Sequence, residues 1–209
     1  MEKIFAVWKP KGPTSHDIVN RVRRATGKRR VGHAGTLDPL AEGILVIAVG
    51  REATKTLGNI VGKDKEYLAR IKLGEESSTD DEEGDKKIVE VKPRHIAMED
   101  IRGALRQFTG EIFQTPPVYS ALKVGGVPAH RRVRRGEPVV LEPRKVLIKE
   151  IECVSYDWPY LEVRVVTGPG VYIRALARDV GRALGVGGYL AGLVRTRIGE
   201  FTKDKCLSI

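Results

Sequence analysis

Apolar positions along this chain change their spacing several times, and each change predicts an element. Residues 3–9 (KIFAVWK) read as a strand closed by Pro10-Lys11-Gly12-Pro13. Ile18, Val19, Val22 and Ala25 then recur at helical spacing, with Thr14 or Ser15 as N-cap and Gly27 as the stop. The polar, glycine-rich stretch 31–42 predicts a loop, and the unbroken apolar run GILVIAVG (43–50) a buried strand. A helix near 52–61 and a strand near 65–73 (KEYLARIKL) follow. Residues 74–87 are so rich in acids that a solvated loop is expected, because like charges do not pack together. Ile101, Leu105 and Phe108 place a helix over 97–108, ending at Gly110. The segment 114–143, rich in Pro, Gly and Arg, predicts a long excursion from the core. Strands are expected at 145–156, 160–167 (YLEVRVVT) and 192–201. Between the last two, a helix over 170–184 presents Ile173, Leu176, Ala177, Val180 and Leu184.

No fixed-period repeat and no break in composition divides the chain, so one domain over residues 1–209 is expected. Helices and strands are interspersed without a regular βαβ rhythm, which favours an α+β fold with a mixed, mostly antiparallel sheet flanked by helices. With 209 residues and 41% apolar content the chain can bury a sizeable core. It has no apolar run of the about 18 residues that a membrane span needs. The opening MEKIFAVWKPKG lacks a signal-peptide pattern, and a cytoplasmic protein is expected. Cys153 and Cys206 belong to no CxxC pair and read as reduced structural thiols. The four histidines (His16, His33, His95, His130) show no metal-ligand spacing, so no metal site is expected.

Charge narrows the choice of partner. Thirty-seven Lys and Arg oppose 27 Asp and Glu, a net +10, and seven of those acids lie between Glu75 and Asp85. Without that segment 37 basic residues face 20 acidic ones, +17, on the rest of the chain. Such an excess suits a polyanion, because each phosphate contact releases counterions. A soluble protein from a hot habitat, rich in Lys and Arg, has the same composition.

Three local groups carry candidate chemistry. In Gly32-His33-Ala34-Gly35-Thr36-Leu37-Asp38-Pro39-Leu40-Ala41-Glu42-Gly43 a single carboxylate is set among small residues and a proline just before the buried strand. Taken alone, Asp38 fits either a turn that bonds its own amides or a site where the backbone approaches a ligand closely. Tyr67, in Lys65-Glu66-Tyr67, fits either a half-buried packing residue or a ring that stacks on a base or handles a proton. In Gly168-Pro169-Gly170-Val171-Tyr172-Ile173-Arg174, Arg174 fits either a surface ion pair or the partner that keeps a carboxylate ionised.

Together with the opening KPKGPTSHDIV (9–19), QTPPVYSALKVGG (114–126), GVYIRALARDVG (170–181) and LVRTRIGEF (193–201), these groups resemble the bacterial tRNA pseudouridine-55 synthases of the TruB type. The motifs run in the family's order over nearly the whole chain, from about Phe5 to Leu207. The resemblance implies an enzyme that isomerises uridine to pseudouridine in the T-loop of tRNA, with Asp38 as the essential carboxylate, attacking the nucleoside or removing a sugar proton. It implies that Arg174 holds that carboxylate and keeps it charged, and that Tyr67 stacks on the extruded uracil and serves the late proton transfer at carbon 5. Tyr172 and Leu193 are implied to wall the base pocket, His33 to fill the place vacated in the RNA loop, and Lys9 to contact substrate. Within 114–143, Arg131, Arg132, Arg134 and Arg135 beside Lys123 fit a solvated face when taken as a bare charge cluster, and beside this catalytic set they read as a thumb that grips phosphates. The reaction carries no electrons and no transferred group, so no cofactor is expected, and a monomer is.

Four departures from the family's pattern stand out. The chain stops at Ile209 where many members continue into a small RNA-binding domain. Glu42 replaces a common Thr, and His130 a common aromatic. Pro169 replaces the usual Lys, which resembles the archaeal and eukaryotic dyskerin-type relatives that work with guide RNA. A guide-dependent or other-RNA pseudouridine synthase is therefore the first alternative. A non-catalytic RNA chaperone that uses the basic surface alone is the second.

Overall fold

The structure, a computed structural model, describes residues 3–89 and 96–207. In chain order its elements are β1 (Lys3–Lys9), α1 (Ser15–Thr26), β2 (Val31–Ala34), β3 (Ala41–Val49), α2 (Arg51–Lys55), α3 (Leu57–Val61), β4 (Lys65–Leu73), β5 (Glu75–Ser77) and β6 (Lys86–Ile88). Then come α4 (Met98–Arg106), β7 (Gly110–Gln114), β8 (Lys123–Val124), β9 (Val127–Pro128), α5 (Ala129–Val133), β10 (Arg144–Asp157) and β11 (Tyr160–Thr167). The chain closes with α6 (Ile173–Ala183), β12 (Gly188–Ile198), a 3-10 turn at Lys203–Lys205 and β13 (Cys206–Leu207). The main sheet has the strand order β13-β1-β3-β12-β4-β11-β10-β7, with β2 beside β3. Its β1–β3, β2–β3 and β7–β10 pairings are antiparallel, whereas β1–β13 and β3–β12 are parallel. The mixed α+β architecture is the one expected. Among the described residues, no helix is long and apolar enough to cross a membrane.

The chain folds into two compact units. The first comprises the chain up to Leu68, Arg164–Pro169 and the residues from Gly192 onward. Strand β3 is its centre, buried at eight of nine positions because both of its faces are covered. On one face Leu45, Ile47 and Val49 pack with Val7, Val31 and the Ile18, Val19 and Val22 stripe of α1. On the other Ile44 and Val46 meet Ala6, Ala34, Ile60 and Ile198. Each such aliphatic side chain removed from water contributes about 1.5–3 kcal/mol. Helix α1 starts where the sequence placed it, in a capping box between Thr14 and Asp17, and stops at Gly27 in the left-handed region.

Two expectations in this unit are corrected. The stretch 31–42 is only partly loop, because the backbone groups of Val31–Ala34 pair with Ala48–Val46 and Val49, forming β2, and β3 already begins at Ala41. The helix expected over 52–61 is two short ones that meet at Thr56.

The second unit comprises Ala69–Val163 and Gly170–Ala191. Its core joins Ile101, Ala104 and Leu105 of α4, Ile148 of β10, Leu161 and Val163 of β11 and Leu176, Ala177 and Val180 of α6, all at most 4% exposed. Here the acidic stretch is not the solvated loop that its composition suggested. Strands β5 and β6 form a hairpin, and the turn between them folds onto α6. Asp81 is 3% exposed and pairs with Arg174 at 3.3 Å, Asp80 pairs with Arg178 at 2.8 Å, and Glu76 pairs with Arg182 at 3.3 Å. The three arginines are four residues apart and share one helix face, so a row of cations takes up the acids that would otherwise repel one another. Helix α6 starts at Ile173, three residues later than expected, and β12 starts at Gly188, four residues earlier.

Gly43 exposes how tightly β3 and β12 meet. A Cβ there would lie 2.2 Å from the backbone oxygen of Arg195, at a φ of +118°. Gly43→Ala should therefore cost on the order of 3 kcal/mol, and a thermal melt should show the midpoint lowered by roughly 10 °C.

Candidate active site

Asp38 lies in the turn between β2 and β3, and that turn is held from three sides. The Ser15 hydroxyl at the start of α1 donates to the Leu37 carbonyl at 2.9 Å and accepts from the Leu37 amide at 2.8 Å, both buried. The Gly12 amide donates to Pro39 O at 2.8 Å, and the Ala41 amide to Asp38 O at 3.1 Å. The loop is thus a rigid mount for one half-buried carboxylate. Ser15 and Gly12 were read from the sequence only as helix cap and turn; their grip on the loop is tertiary.

Around this turn the first unit assembles a set of cations. Lys9 is fully buried at the end of β1, where its ammonium donates to Ala41 O at 2.5 Å and Pro10 O at 3.0 Å. Burial pushes its pKa down, and the Asp38 carboxylate counters that shift. Glu42, half-buried, raises it as well, so its charge is felt at Lys9. His33 on β2 has a buried Nδ1 without a hydrogen-bond partner. Burial lowers its pKa and favours the neutral ring. Lys65, at the start of β4, donates to Val61 O and Lys63 O at 2.8 Å each, closing the last turn of α3. Leu193 on β12 aligns in parallel register with Ala41, which places it beside the start of β3.

Tyr67 is 6% exposed, and the side chain that meets it is one the sequence reading passed over, Arg195 of β12. Arg195 is 1% exposed. Its Nε donates to Ile44 O at 2.8 Å and one Nη donates to Gly35 O at 2.9 Å, and its charge bears on the Tyr67 phenol. Burial raises the Tyr67 pKa, Arg195 opposes the rise, and the Asp38 charge adds to it. On the opposite side of β4, Glu66 accepts from Arg164 at 2.8 Å and from Thr196 at 2.8 Å, a partly exposed network facing away from this cluster. Period-two alternation along β4 separates the two.

The remaining sequence candidates lie in the second unit. Tyr172 caps α6, and its backbone is clamped by the buried Gln114 side chain, which accepts from Tyr172 N at 2.9 Å and donates to Tyr172 O at 3.2 Å. Arg174 is held by Asp81, by Thr79 O at 3.3 Å and by Tyr119 O at 2.9 Å. Asp80, beside Arg178, has its pKa raised by burial, with the Arg178 charge opposing. The expected thumb contains a β8–β9 hairpin that turns through Gly125 and Gly126, followed by the short α5. His130 Nδ1 lies 2.9 Å from Ser120 O, so a ring-to-backbone bond stands where the family has an aromatic. Arg132 lies 3.2 Å and Arg135 3.9 Å from Glu137, while Arg131 and Arg134 are exposed. Among the described residues, no three His, Cys, Asp or Glu side chains stand together as a metal site, and His95 lies outside them.

Comparison with known proteins gives a consistent picture. A model of the TruB family pseudouridylate synthase, N-terminal domain, matches residues 23–173. The tRNA pseudouridine synthase B of Thermobifida fusca is 46% identical over 215 residues, covering 99% of this chain and 72% of that protein. The protein of the same name from Parabacteroides distasonis is 46% identical over 207 residues, covering 96% and 87%. Among solved structures, a chain of a Cbf5-Nop10-Gar1 complex superposes with a TM-score of 0.74 at 29% identity. A chain of an H/ACA RNP bound to a substrate RNA containing 2'-deoxyuridine superposes with 0.69 at 27%. Each match covers 96% of this chain, which spans about half of those solved chains, 50% and 49%.

Lys65 offers a test of the site's electrostatics. Burial lowers its pKa from 10.5 to about 8, with the Arg195 charge adding to the effect. Between these two pH values the unfolded chain holds a proton that the folded one has released, so stability rises with pH across that window. Thermal melts from pH 8 to 10.5 should show this rise, and Lys65→Met should flatten it.

Proposed function

Because this chain belongs to the TruB family of pseudouridylate synthases, we propose that it converts uridine to pseudouridine in tRNA, at position 55 of the T-loop. The observation that carries this reading is the 46% identity to tRNA pseudouridine synthase B over 99% of the chain. The shape of the Asp38 turn supports it as well: a carboxylate on a rigid mount, within electrostatic reach of Lys9 and of the buried Tyr67, suits chemistry at a glycosidic centre.

In this reading the target uridine is extruded from its loop before reaction. Asp38 attacks the sugar or removes a sugar proton, the N-glycosidic bond breaks, and the uracil turns in place and rejoins through carbon 5. Tyr67 stacks on the base and takes part in the final proton transfer, Arg174 is the third catalytic residue, and Tyr172 and Leu193 bound the base. His33, held neutral, enters the RNA loop where the base has left, and Lys9 fixes the Asp38 turn from below as much as it contacts substrate. The enzyme acts as a monomer in the cytoplasm, on one domain whose thumb grips phosphates, and needs no cofactor because nothing is oxidised or transferred.

Likeness to the chain of the Cbf5-Nop10-Gar1 complex, together with Pro169, favours guide-dependent action as the second reading. One assay separates the two: purified protein, an unmodified tRNA transcript without guide RNA, and mapping of pseudouridine. Conversion at the T-loop uridine supports the first reading. Conversion only with a guide supports the second, and tight binding without conversion points to a chaperone.

Asp38→Asn should leave the melting midpoint and tRNA affinity close to those of the wild type while abolishing turnover; residual turnover at an appreciable rate refutes the assignment. Arg131 and Arg134, free of the Glu137 pairing, should carry most of the thumb's grip. Replacing both with Gln should weaken tRNA binding and reduce the slope of log K against log salt by about 1–2. An unchanged slope would show that they do not touch phosphate.

A further inference from the structure

Arg195 is a cation in an unusual position. The guanidinium is 1% exposed, and the groups that act on it are burial itself and the Tyr67 phenol, with no carboxylate among them. Taking such an ion out of water costs several kcal/mol unless its donors are answered by well-placed acceptors. Here the acceptors are two backbone oxygens, of Ile44 and Gly35, and the side chain whose charge bears on it is the Tyr67 phenol. The two bonds fix the plane of the guanidinium and leave its other N–H groups for the phenol. Gly35, too, is shaped around it, since a Cβ at that position would lie 3.4 Å from the Arg195 Nη and 3.7 Å from Lys65 Cε. A neutral side chain would fill this space with no desolvation cost, so packing alone does not explain a charge here.

We propose that Arg195 is a positioning residue for the pseudouridine reaction: locked by Ile44 O and Gly35 O, it holds the Tyr67 phenol oxygen as the acceptor of the proton that leaves carbon 5 of the rejoined uracil. This rests on the synthase reading given above. When the C1'–C5 bond has formed, carbon 5 carries both the sugar and its original hydrogen. Tyr67, its phenolic proton released to solvent beforehand, takes that hydrogen as a proton on its phenolate oxygen, and the C–H electron pair restores the C5=C6 double bond. The displaced C6=N1 pair goes to N1, which takes up one proton from solvent, and Tyr67 ends as the neutral phenol. A guanidinium donor on the phenol favours its deprotonated form and directs the oxygen's free lone pair away from Arg195. The groups facing this pair are Asp38 from the β2–β3 turn, Lys9 from β1, His33 from β2 and Lys65 from β4. The Asp38 charge disfavours the phenolate, so the cation is what offsets both it and burial.

The test is single-turnover and steady-state kinetics of the full chain on tRNA transcripts carrying uridine or [5-²H]uridine, with Arg195→Lys, Tyr67→Phe and the double variant. For Arg195→Lys, kcat should fall on the order of 10²-fold, the scale of a displaced proton acceptor, with KM unchanged. A primary deuterium effect on kcat should appear or grow as proton loss at carbon 5 becomes limiting. In the Tyr67→Phe background the same change should cost little further, because the two residues act as a unit. An unaltered isotope effect, or losses that simply add, overturns the proposal. So does a loss of rate that merely follows the folded fraction in a melt. If Arg195→Lys does not fold, 3-fluorotyrosine at position 67 with Arg195 intact decides. Its more acidic phenol must displace the pH–rate profile to lower pH, and an undisplaced profile rejects the idea. A wild-type protein that forms no pseudouridine rejects the synthase reading itself, whereas turnover without these signatures rejects only the role of Arg195.

Discussion

A buried guanidinium needs oxygen acceptors placed around it, and at Arg195 this requirement organises the first unit. Two such oxygens come from the backbone, one from Ile44 in β3 and one from Gly35 at the start of the β2–β3 connection. Both segments must therefore come close to β12, and both do so through glycine: Gly43 under the Arg195 backbone and Gly35 against its side chain. The Asp38 turn hangs between these two anchor points. Its placement follows from where Arg195 needs acceptors, with Ser15 and Lys9 tightening the same loop from α1 and β1.

Much of the scaffold was legible in the chain because its signals are local. Thr14 and Asp17 form a capping box within four residues, and Gly27 ends the helix they begin. The apolar run that becomes β3 is continuous because α1 covers one face and the α3 side the other. What escaped reading depends on residues far apart in sequence. Val31–Ala34 is too short and too mixed to announce a strand, and it is one only because β3 offers its ladder. The acids from Glu75 to Asp85 read as solvated since their partners, Arg174, Arg178 and Arg182, lie about a hundred residues away. Arg195 escaped for a similar reason. In a strand ending LVRTRIG, two arginines two apart look like one solvent-facing edge, yet Arg195 is 1% exposed and Arg197 is partly exposed beside Glu66.

Arg174 and Arg195 show two ways to keep a cation inside a protein. Arg174 is answered by a carboxylate, Asp81, as well as two carbonyls, so charge is cancelled where it stands. Loss of one member of such a pair leaves the other uncompensated, typically at about 3–5 kcal/mol. Arg195 keeps its charge without a carboxylate, and its field lowers the pKa of Lys9, His33 and Lys65 together. The first arrangement pairs opposite charges inside the second unit. The second leaves a positive charge in the interior next to the Asp38 turn, a setting that favours an anionic ligand.

This distinction changes what the net charge of +10 means. A count of arginines treats all of them as available to a polyanion, yet those on α6 are occupied by Asp81, Asp80 and Glu76, and Arg164 is occupied by Glu66. Arg195 is sealed from solvent. In the thumb, Glu137 engages Arg132 and Arg135. Other cations stay at the surface: Arg131 and Arg134 on the thumb, Arg24, Lys28, Arg29 and Arg30 where α1 ends and the chain enters β2, and scattered ones such as Lys3, Lys11, Arg21, Arg51, Lys87 and Arg106. Within the first unit the cluster at the end of α1 leads directly into the strand carrying His33 and, a few residues on, into the Asp38 turn. A four-residue strand rises about 13 Å, roughly the span of two nucleotides of RNA backbone. One dense group of surface cations therefore sits beside the Asp38 turn, within a basic surface that extends well beyond it.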